Sequence, residues 1–331
     1  MRKHRMFGSL GRRSLIGAAA ALSATGLART QEAFPSRVIR LVVPWPPGGP
    51  IDLAARPIAA RMSELLGQTV VIENRGGANG TIGALHVAQS PPDGYTLLVA
   101  SPGPVSISPL ARGEAGYDPL KVYTPVTQLV SSPSVLVVRR DLPAKSLQEL
   151  VKLAASRPGQ LTYGSAGPAS INHLSAASLA ARAGVTMLHV PYAGASPLLN
   201  DLLAGRIDMA FLGIGVALPL VQQGTAHGLA VGNLRRAAAL PDIPTVGEAY
   251  PGFSADNWYG ILGPIGIPAP VVARLYQAAV AAVKTPQVTR ILLEGGAEPS
   301  VSDSPAAFAA MFAEDLVRWR QSVQAAGLRP D

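Results

Sequence analysis

The sequence contains no cysteine. Disulfides, thiolate metal sites and cysteine nucleophiles are thereby excluded together, so stability has to come from a packed core. The absence is compatible with an oxidising compartment. Charge is scarce as well: Asp, Glu, Lys and Arg make up 15% of the 331 residues, while hydrophobic residues make up 48%. That balance, without a long polar tract, argues for an ordered globular chain. Familiar catalytic signatures are missing too, with no Gly-x-Ser-x-Gly elbow, P-loop, Gly-x-Gly-x-x-Gly fingerprint or His-Glu-x-x-His helix. An enzyme on an α/β scaffold would need a nucleophile and a base that the sequence does not display.

Acidic residues are absent before Glu32, whereas Arg2, Lys3, Arg5, Arg12 and Arg13 all precede an apolar stretch from Leu15 to Leu22. A basic start, a short apolar run and small residues at Gly26 and Ala28 form the three parts of an export signal, expected over residues 1–28. The run is too short to span a bilayer comfortably. Arg12-Arg13 before Ser14-Leu15-Ile16 fits a twin-arginine signal, although Gly11 and Gly17 depart from that pattern, so both the general secretory and the twin-arginine route stay open. The formal charge of +8 is concentrated here: without those five basic residues, 23 remain against 20 acidic ones, a net of +3. No basic patch with interleaved aromatics follows, which argues against a nucleic-acid partner.

At this length two lobes are expected. After Phe34 one phrase recurs: a short β-branched run, a Gly/Pro/Ser-rich loop, then a stretch with apolar residues at helical spacing. Strands are expected at Val38 to Val43, Thr69 to Glu73, Thr96 to Ala100, Leu161 to Tyr163, Thr186 to Val190 and Ile207 to Leu212. Helices are expected over Leu53 to Leu66, Gly83 to Gln89, Ser146 to Ser156 and Leu198 to Leu203, the last opened by Ser196-Pro197 as cap and first turn. Such alternation favours an α/β fold with parallel sheets covered by helices. On the final helix Phe308, Phe312, Leu316, Trp319 and Val323 recur every three or four residues, a core stripe. No linker separates two autonomous halves, so the lobes interleave. Crossings are expected near Leu129 to Val138 and near Phe253 to Pro264.

Three loops follow strands and precede helices, the place where open α/β sheets hold ligands. The first runs through Trp45, Pro46, Pro47, Gly48 and Gly49 to Ile51 and Asp52. Its glycines let backbone amides approach an anion, and a helix begins directly after it with its positive end toward the loop. Asp52 can equally serve as a helix cap. The second loop carries Ser165, Ala166 and Gly167, with His173 early in the next helix as a ligand neighbour or a packed histidine. The third carries Tyr192, Ala193 and Gly194. Ser101 ends another strand at the same level. No catalytic residue, metal site or cofactor is indicated by these residues, and Asp201 and Asp208 read as capping or exposed carboxylates.

The ordered phrases Phe34-Pro35-Ser36, Ile39-Arg40-Leu41-Val42-Val43-Pro44, Pro47-Gly48-Gly49 with Asp52, Val71-Ile72-Glu73-Asn74-Arg75, Pro92-Asp93-Gly94-Tyr95, Ser165-Ala166-Gly167, His189-Val190-Pro191-Tyr192, Leu240-Pro241-Asp242-Ile243-Pro244 and Trp258-Tyr259-Gly260 carry a resemblance. From about Phe34 to Asp331 the chain is similar to the Bug or TctC-like family of extracytoplasmic solute receptors, the substrate-binding components of tripartite tricarboxylate transporters. The resemblance implies a two-lobed periplasmic-binding-protein type II fold, each lobe a mixed, mainly parallel sheet flanked by helices, with lobe 1 formed by 34–132 and 258–331 and lobe 2 by 133–257. It implies a monomeric periplasmic protein that closes over a small carboxylate and delivers it to membrane permease subunits, with backbone groups of Pro46 to Asp52 and of Ser165 to Gly167 on the carboxylate.

Three departures make the expected pocket more apolar than the family pattern. Ile51 replaces a hydroxyl residue, Pro102-Gly103-Pro104 replaces a more polar stretch, and Phe211 to Gly215 lacks an Asp or Asn after its strand. They point to a monocarboxylate or aromatic acid rather than citrate. A role as ligand-loaded sensor for a receptor kinase would use the same closed lobes, so the sequence does not separate it from transport.

Overall fold

The computed structural model describes residues 34–112 and 118–328. The export-signal reading of residues 1–28 lies outside the described residues. From Arg37 onward the chain forms one compact unit built on two sheets.

The first sheet takes β1 (Ile39–Val43), β2 (Val70–Asn74), β3 (Thr96–Ala100), β4 (Tyr123–Ser132), β10 (Asn257–Pro264) and β11 (Glu298–Pro299), in the order β11-β4-β10-β3-β1-β2. The second takes β5 (Ser134–Arg139), β6 (Thr162–Ser165), β7 (Leu188–Pro191), β8 (Met209–Gly213) and β9 (Ala226–Val231), in the order β7-β6-β8-β5-β9. Most strands share one direction within each sheet. The exceptions are β10 and β11 in the first and β5 in the second, which pair antiparallel with their neighbours. Chain direction explains this, because β4 passes straight into β5 through Pro133 and β10 returns from the second sheet to the first. Both passages fall inside the segments expected from sequence.

Helices fill the crossovers: α1 (Pro50–Leu66), α2 (Thr81–Ala88), α3 (Ser108–Arg112), α4 (Pro119–Val122), α5 (Leu147–Ser156), α6 (Ile171–Ala183), α7 (Ala195–Leu203), α8 (Ile214–Gln222), α9 (Val246–Ala249), α10 (Ala269–Val283), α11 (Pro286–Glu294) and α12 (Pro305–Ala325). Several element starts differ from the sequence reading by one to three residues, as where α2 begins at Thr81 rather than Gly83 and β8 at Met209 rather than Ile207. Helix α1 begins at Pro50 rather than Leu53, because proline needs no N–H at a first helical position. Helix α7 is capped by Gly194, not Ser196, which lies one residue inside the helix. Ser165, expected in a loop, ends β6.

The apolar stripe of α12 is core. Phe308, Phe312 and Leu316 pack with Val42, Leu98 and Trp258 under the first sheet, the Trp258 ring meeting both phenylalanines edge-on. Under the second sheet Leu136, Tyr163, Phe211 and Phe253 form the equivalent cluster with the Leu147 and Leu150 face of α5. A smaller cluster joins Ile107, Trp319 and Val323 to Leu174 of α6, so the two crossing strands are not the sole ties between the sheets. These buried side chains supply most of the driving force, about 25 cal/mol per Å² of apolar surface removed from water.

Candidate ligand site

Loops at the carboxyl ends of β1, β3, β6, β7 and β8 enclose a cavity of about 960 Å³. Of the residues expected there, Trp45, Pro46, Pro47, Gly48, Gly49, Ile51, Ser101, Ala166, Ala193 and Gly194 line it. Asp52, Ser165, Gly167, His173 and Tyr192 are not part of the lining, and Asp52, Ser165 and His173 are buried. Pro50, Gly103, Ala195, Ser196, Phe211 and Gly213, which fall in segments that the sequence reading placed at the pocket, line it as well, whereas Asn79, Ser132, Ser134, Ser170, Ile171, Asn172, Asn257 and Tyr259 were not among its candidates. Ser132, Ser134, Asn257 and Tyr259 belong to the two crossings, and the expected crossing segments were the available signal for them. Among the described residues, no Asp, Glu, Lys, Arg or His lines the cavity.

Four helices present their first residues to this space. The cap residues Gly49 of α1, Ser170 of α6, Gly194 of α7 and Gly213 of α8 all line it. Three of the four have no side chain bonded over the helix end, whereas α4, α5, α9 and α12 are closed by Asp118, Ser146, Thr245 and Ser304. First-turn amides have no acceptor within their own helix, and the helix dipole adds partial positive charge there. The cavity is therefore rich in backbone donors and empty of formal charge, an arrangement that suits an anion.

In the first loop Asp52 is buried, 1% exposed. Its carboxylate accepts from the Gly48 amide at 2.9 Å, from Arg56 Nε at 2.8 Å and from Asn74 at 2.9 Å. Burial pushes the carboxyl up, but the bonds from Arg56, Gly48 and Asn74 together outweigh it and hold the group below the ordinary carboxylate range. Asp52 thus fastens the loop and has no lone pair directed at a ligand. Gly48 sits at φ +83, a left-handed conformation that glycine adopts without a Cβ penalty.

The second loop is fastened without charge. Ser165 Oγ lies 2.6 Å from His189 Nε2, accepts from the Gly167 amide at 3.2 Å and reaches the Gly167 carbonyl at 3.0 Å. The His189 ring stacks on His173 at 3.8 Å between centroids and on Tyr163 at 5.1 Å. His173 Nδ1 accepts from the Ala169 amide at 3.2 Å, so its proton is on the other nitrogen. Burial, and then the neighbouring His189, lower His173 to about 4, while burial also lowers His189. In the third loop Tyr192 donates to Asp201 at 2.9 Å, and burial followed by that carboxylate raises the phenol to about 12. His173, His189 and Tyr192 thus make their hydrogen bonds and stacking contacts within the protein, outside the cavity lining.

Residues 54–328 match the tripartite tricarboxylate transporter family receptor. The chain is 38% identical over 319 residues to the UPF0065 protein of the tcbD-tcbE intergenic region of Pseudomonas sp. (strain P51), covering 95% of this chain and 94% of the relative. Among solved structures, R. palustris Rpa4515 with adipate superposes with a TM-score of 0.76 at 36% identity, over 90% of this chain and 100% of that one. MatC (Rpa3494) from Rhodopseudomonas palustris with bound malate gives 0.72 at 34% identity, over 88% and 100%. The two-lobed α/β fold with mixed sheets, the helix-lined cleft and these likenesses lead to one assignment: the chain belongs to the tripartite tricarboxylate transporter family receptors, the TctC and Bug-type periplasmic solute-binding proteins.

Proposed function

We propose that this receptor captures a small carboxylate with an apolar body, monocarboxylic or aromatic rather than citrate, and presents it to the membrane permease subunits of a tripartite tricarboxylate transporter. The observation that carries the reading is the cleft itself: helix N-termini with glycine caps supply donors for a carboxylate, and no lining side chain carries a charge. Trp45, Phe211, Tyr259, Ile51 and Ile171 supply apolar surface for the rest of the ligand. Citrate would bring three carboxylates into a space with no cationic side chain to meet them. The related Rpa4515 was solved with adipate, whose carboxylates flank an apolar chain, and such a diacid is the nearest competing ligand class.

The same reading takes residues 34–132 with 258–331 as one lobe and 133–257 as the other, in keeping with the strand membership of the two sheets. It takes the mature protein as a periplasmic monomer released from residues 1–28. Amino-terminal sequencing of secreted protein tests the cut, and an intact Met1 overturns it.

Calorimetric titration of the mature protein with benzoate, adipate, citrate and benzamide tests the ligand class. Benzoate binding without benzamide binding supports the proposal. Citrate binding more tightly than benzoate and adipate reverses the choice of class, and equal binding of benzoate and benzamide removes the carboxylate from the recognition.

A further inference from the structure

We propose that Asn74 is a positioning residue for the cleft, a latch that sets the carbonyl of Trp45 and thereby the place of the indole against the ligand. The proposal rests on the reading of the cleft as the ligand site. Asn74 ends β2, outside the cavity lining, and its side chain makes three bonds. Its amide nitrogen donates to the Trp45 carbonyl at 3.0 Å and to Asp52 Oδ1 at 2.9 Å, while its oxygen accepts from Arg56 at 3.3 Å. Two acceptors on one side and a cation on the other allow one orientation of the amide. Every hydrogen-bonding group of the side chain except the second lone pair of its oxygen is then used.

The loop from Trp45 to Gly48 is consequently fastened at both ends by one network. Asp52 holds the far end through the Gly48 amide, and Asn74 holds the near end through the Trp45 carbonyl. The bond between Asn74 and Asp52 couples the two ends. Segment 75–77 follows directly, and a methyl group built on Gly76 would stand 3.2 Å from the Pro46 ring, so the chain just after Asn74 packs closely on the loop at Pro46. Prolines 46 and 47 stiffen the path between the two fixed points. A loop held in this way loses little entropy when a ligand arrives.

Tryptophan fluorescence can read the latch without any ligand. Trp258 and Trp319 are 1% and 2% exposed, whereas Trp45 is half-buried at the cavity wall, so acrylamide quenching reports chiefly on Trp45. In the mature protein Asn74→Ala should raise the quenching constant about two-fold while the core tryptophans stay protected. It should also weaken benzoate binding about tenfold, the loss of a hydrogen bond's worth of preorganisation. The isosteric Asn74→Asp adds a readout that a general loss of packing would not give. Ionised, the introduced carboxyl donates nothing and stands against Asp52; protonated, it regains one donor, so quenching should fall back toward the parent value as pH is lowered. Unchanged Trp45 quenching in folded Asn74→Ala, or a pH-independent signal in Asn74→Asp, overturns the latch. Failure of the parent to bind benzoate, adipate or citrate would count against the cleft reading instead, since the quenching result alone decides the latch.

Discussion

Two loops line the same cleft and are fastened by opposite means. The loop after β1 hangs on an ionic network, with Asp52 bonded by Gly48, Arg56 and Asn74. The loop after β6 hangs on neutral groups, with Ser165 against His189 and His189 stacked on His173. Both leave the cavity surface without charge, because the ionic network is turned behind its loop and the imidazoles remain neutral. On the proposed reading of the cleft, an anion site need not contain cations. On that reading helix ends supply the attraction, and side chains hold those ends in place.

The largest expected effect tests the shared part of the comparison, the backbone surface. Gly49 has φ −75 and ψ 165, which any residue adopts, and a Cβ there would meet only the Pro46 carbonyl at 3.7 Å. The fold therefore tolerates a side chain at a position where a ligand would not. Gly49→Val should lower affinity more than about 100-fold with little change in the urea midpoint. Full affinity in the folded variant would show that ligand does not approach this loop.

Acid should separate the two fastenings. His173 is lowered from 6.5 to about 4, so its neutral form is favoured by folding. That contribution is complete above pH 6.5 and is lost as pH falls through 6.5 toward 4, about 3 kcal/mol in all. Asp52 is also lowered, but from 3.8, so its contribution persists until pH drops below the ordinary carboxylate range. Hydrogen exchange at pH 4.5 should consequently show the 165–173 segment opening while the 45–52 segment stays protected. Simultaneous opening of both would remove the distinction. Replacing the charge directly gives a smaller change: Asp52→Ala should cost about 2 kcal/mol in urea unfolding, limited because Arg56 is half exposed and recovers water.

Much of this was legible in the sequence, for reasons that differ by residue. Strand and helix periodicity gave the β1 to α1 unit and the α12 stripe, since apolar spacing is a local property. The Pro-Gly loop declared itself through residues that only turns and close approaches require. Asp52 was left between ligand and cap, and the choice depended on Arg56 and Asn74 closing over it, the latter 22 residues away. His189 was seen only as part of a phrase, because its stacking on His173 joins a strand to a helix that sequence spacing does not relate. Ser132, Ser134, Asn257 and Tyr259 lie in the crossing segments that the sequence indicated, but which crossing residues face the cavity is set by tertiary geometry and not by local pattern.

The smallest expected effect lies in the backbone of the two loops. Each contains a residue in the left-handed region, Gly48 at φ +83 in the first and Ala169 at φ +58 in the second. Alanine there carries a steric cost of about 1–2 kcal/mol that glycine does not. Glycine in turn has more conformational freedom to lose on folding, about 0.5–1 kcal/mol relative to alanine. The difference predicts that Ala169→Gly stabilises the protein by about 0.5–1 kcal/mol and that Gly48→Ala destabilises it by a similar amount. No atom lies within 4 Å of a Cβ built on Gly48, so its cost would come from backbone conformation alone. Ala169 also donates its amide to His173, a bond that glycine retains, which keeps the histidine stack out of the measurement. Urea midpoints at neutral pH, where both fastenings are intact, should therefore move in opposite directions for the two variants. Destabilisation by both would mean that the Ala169 methyl contributes packing worth more than its strain, and that the second loop is held by contacts beyond Ser165 and its two histidines.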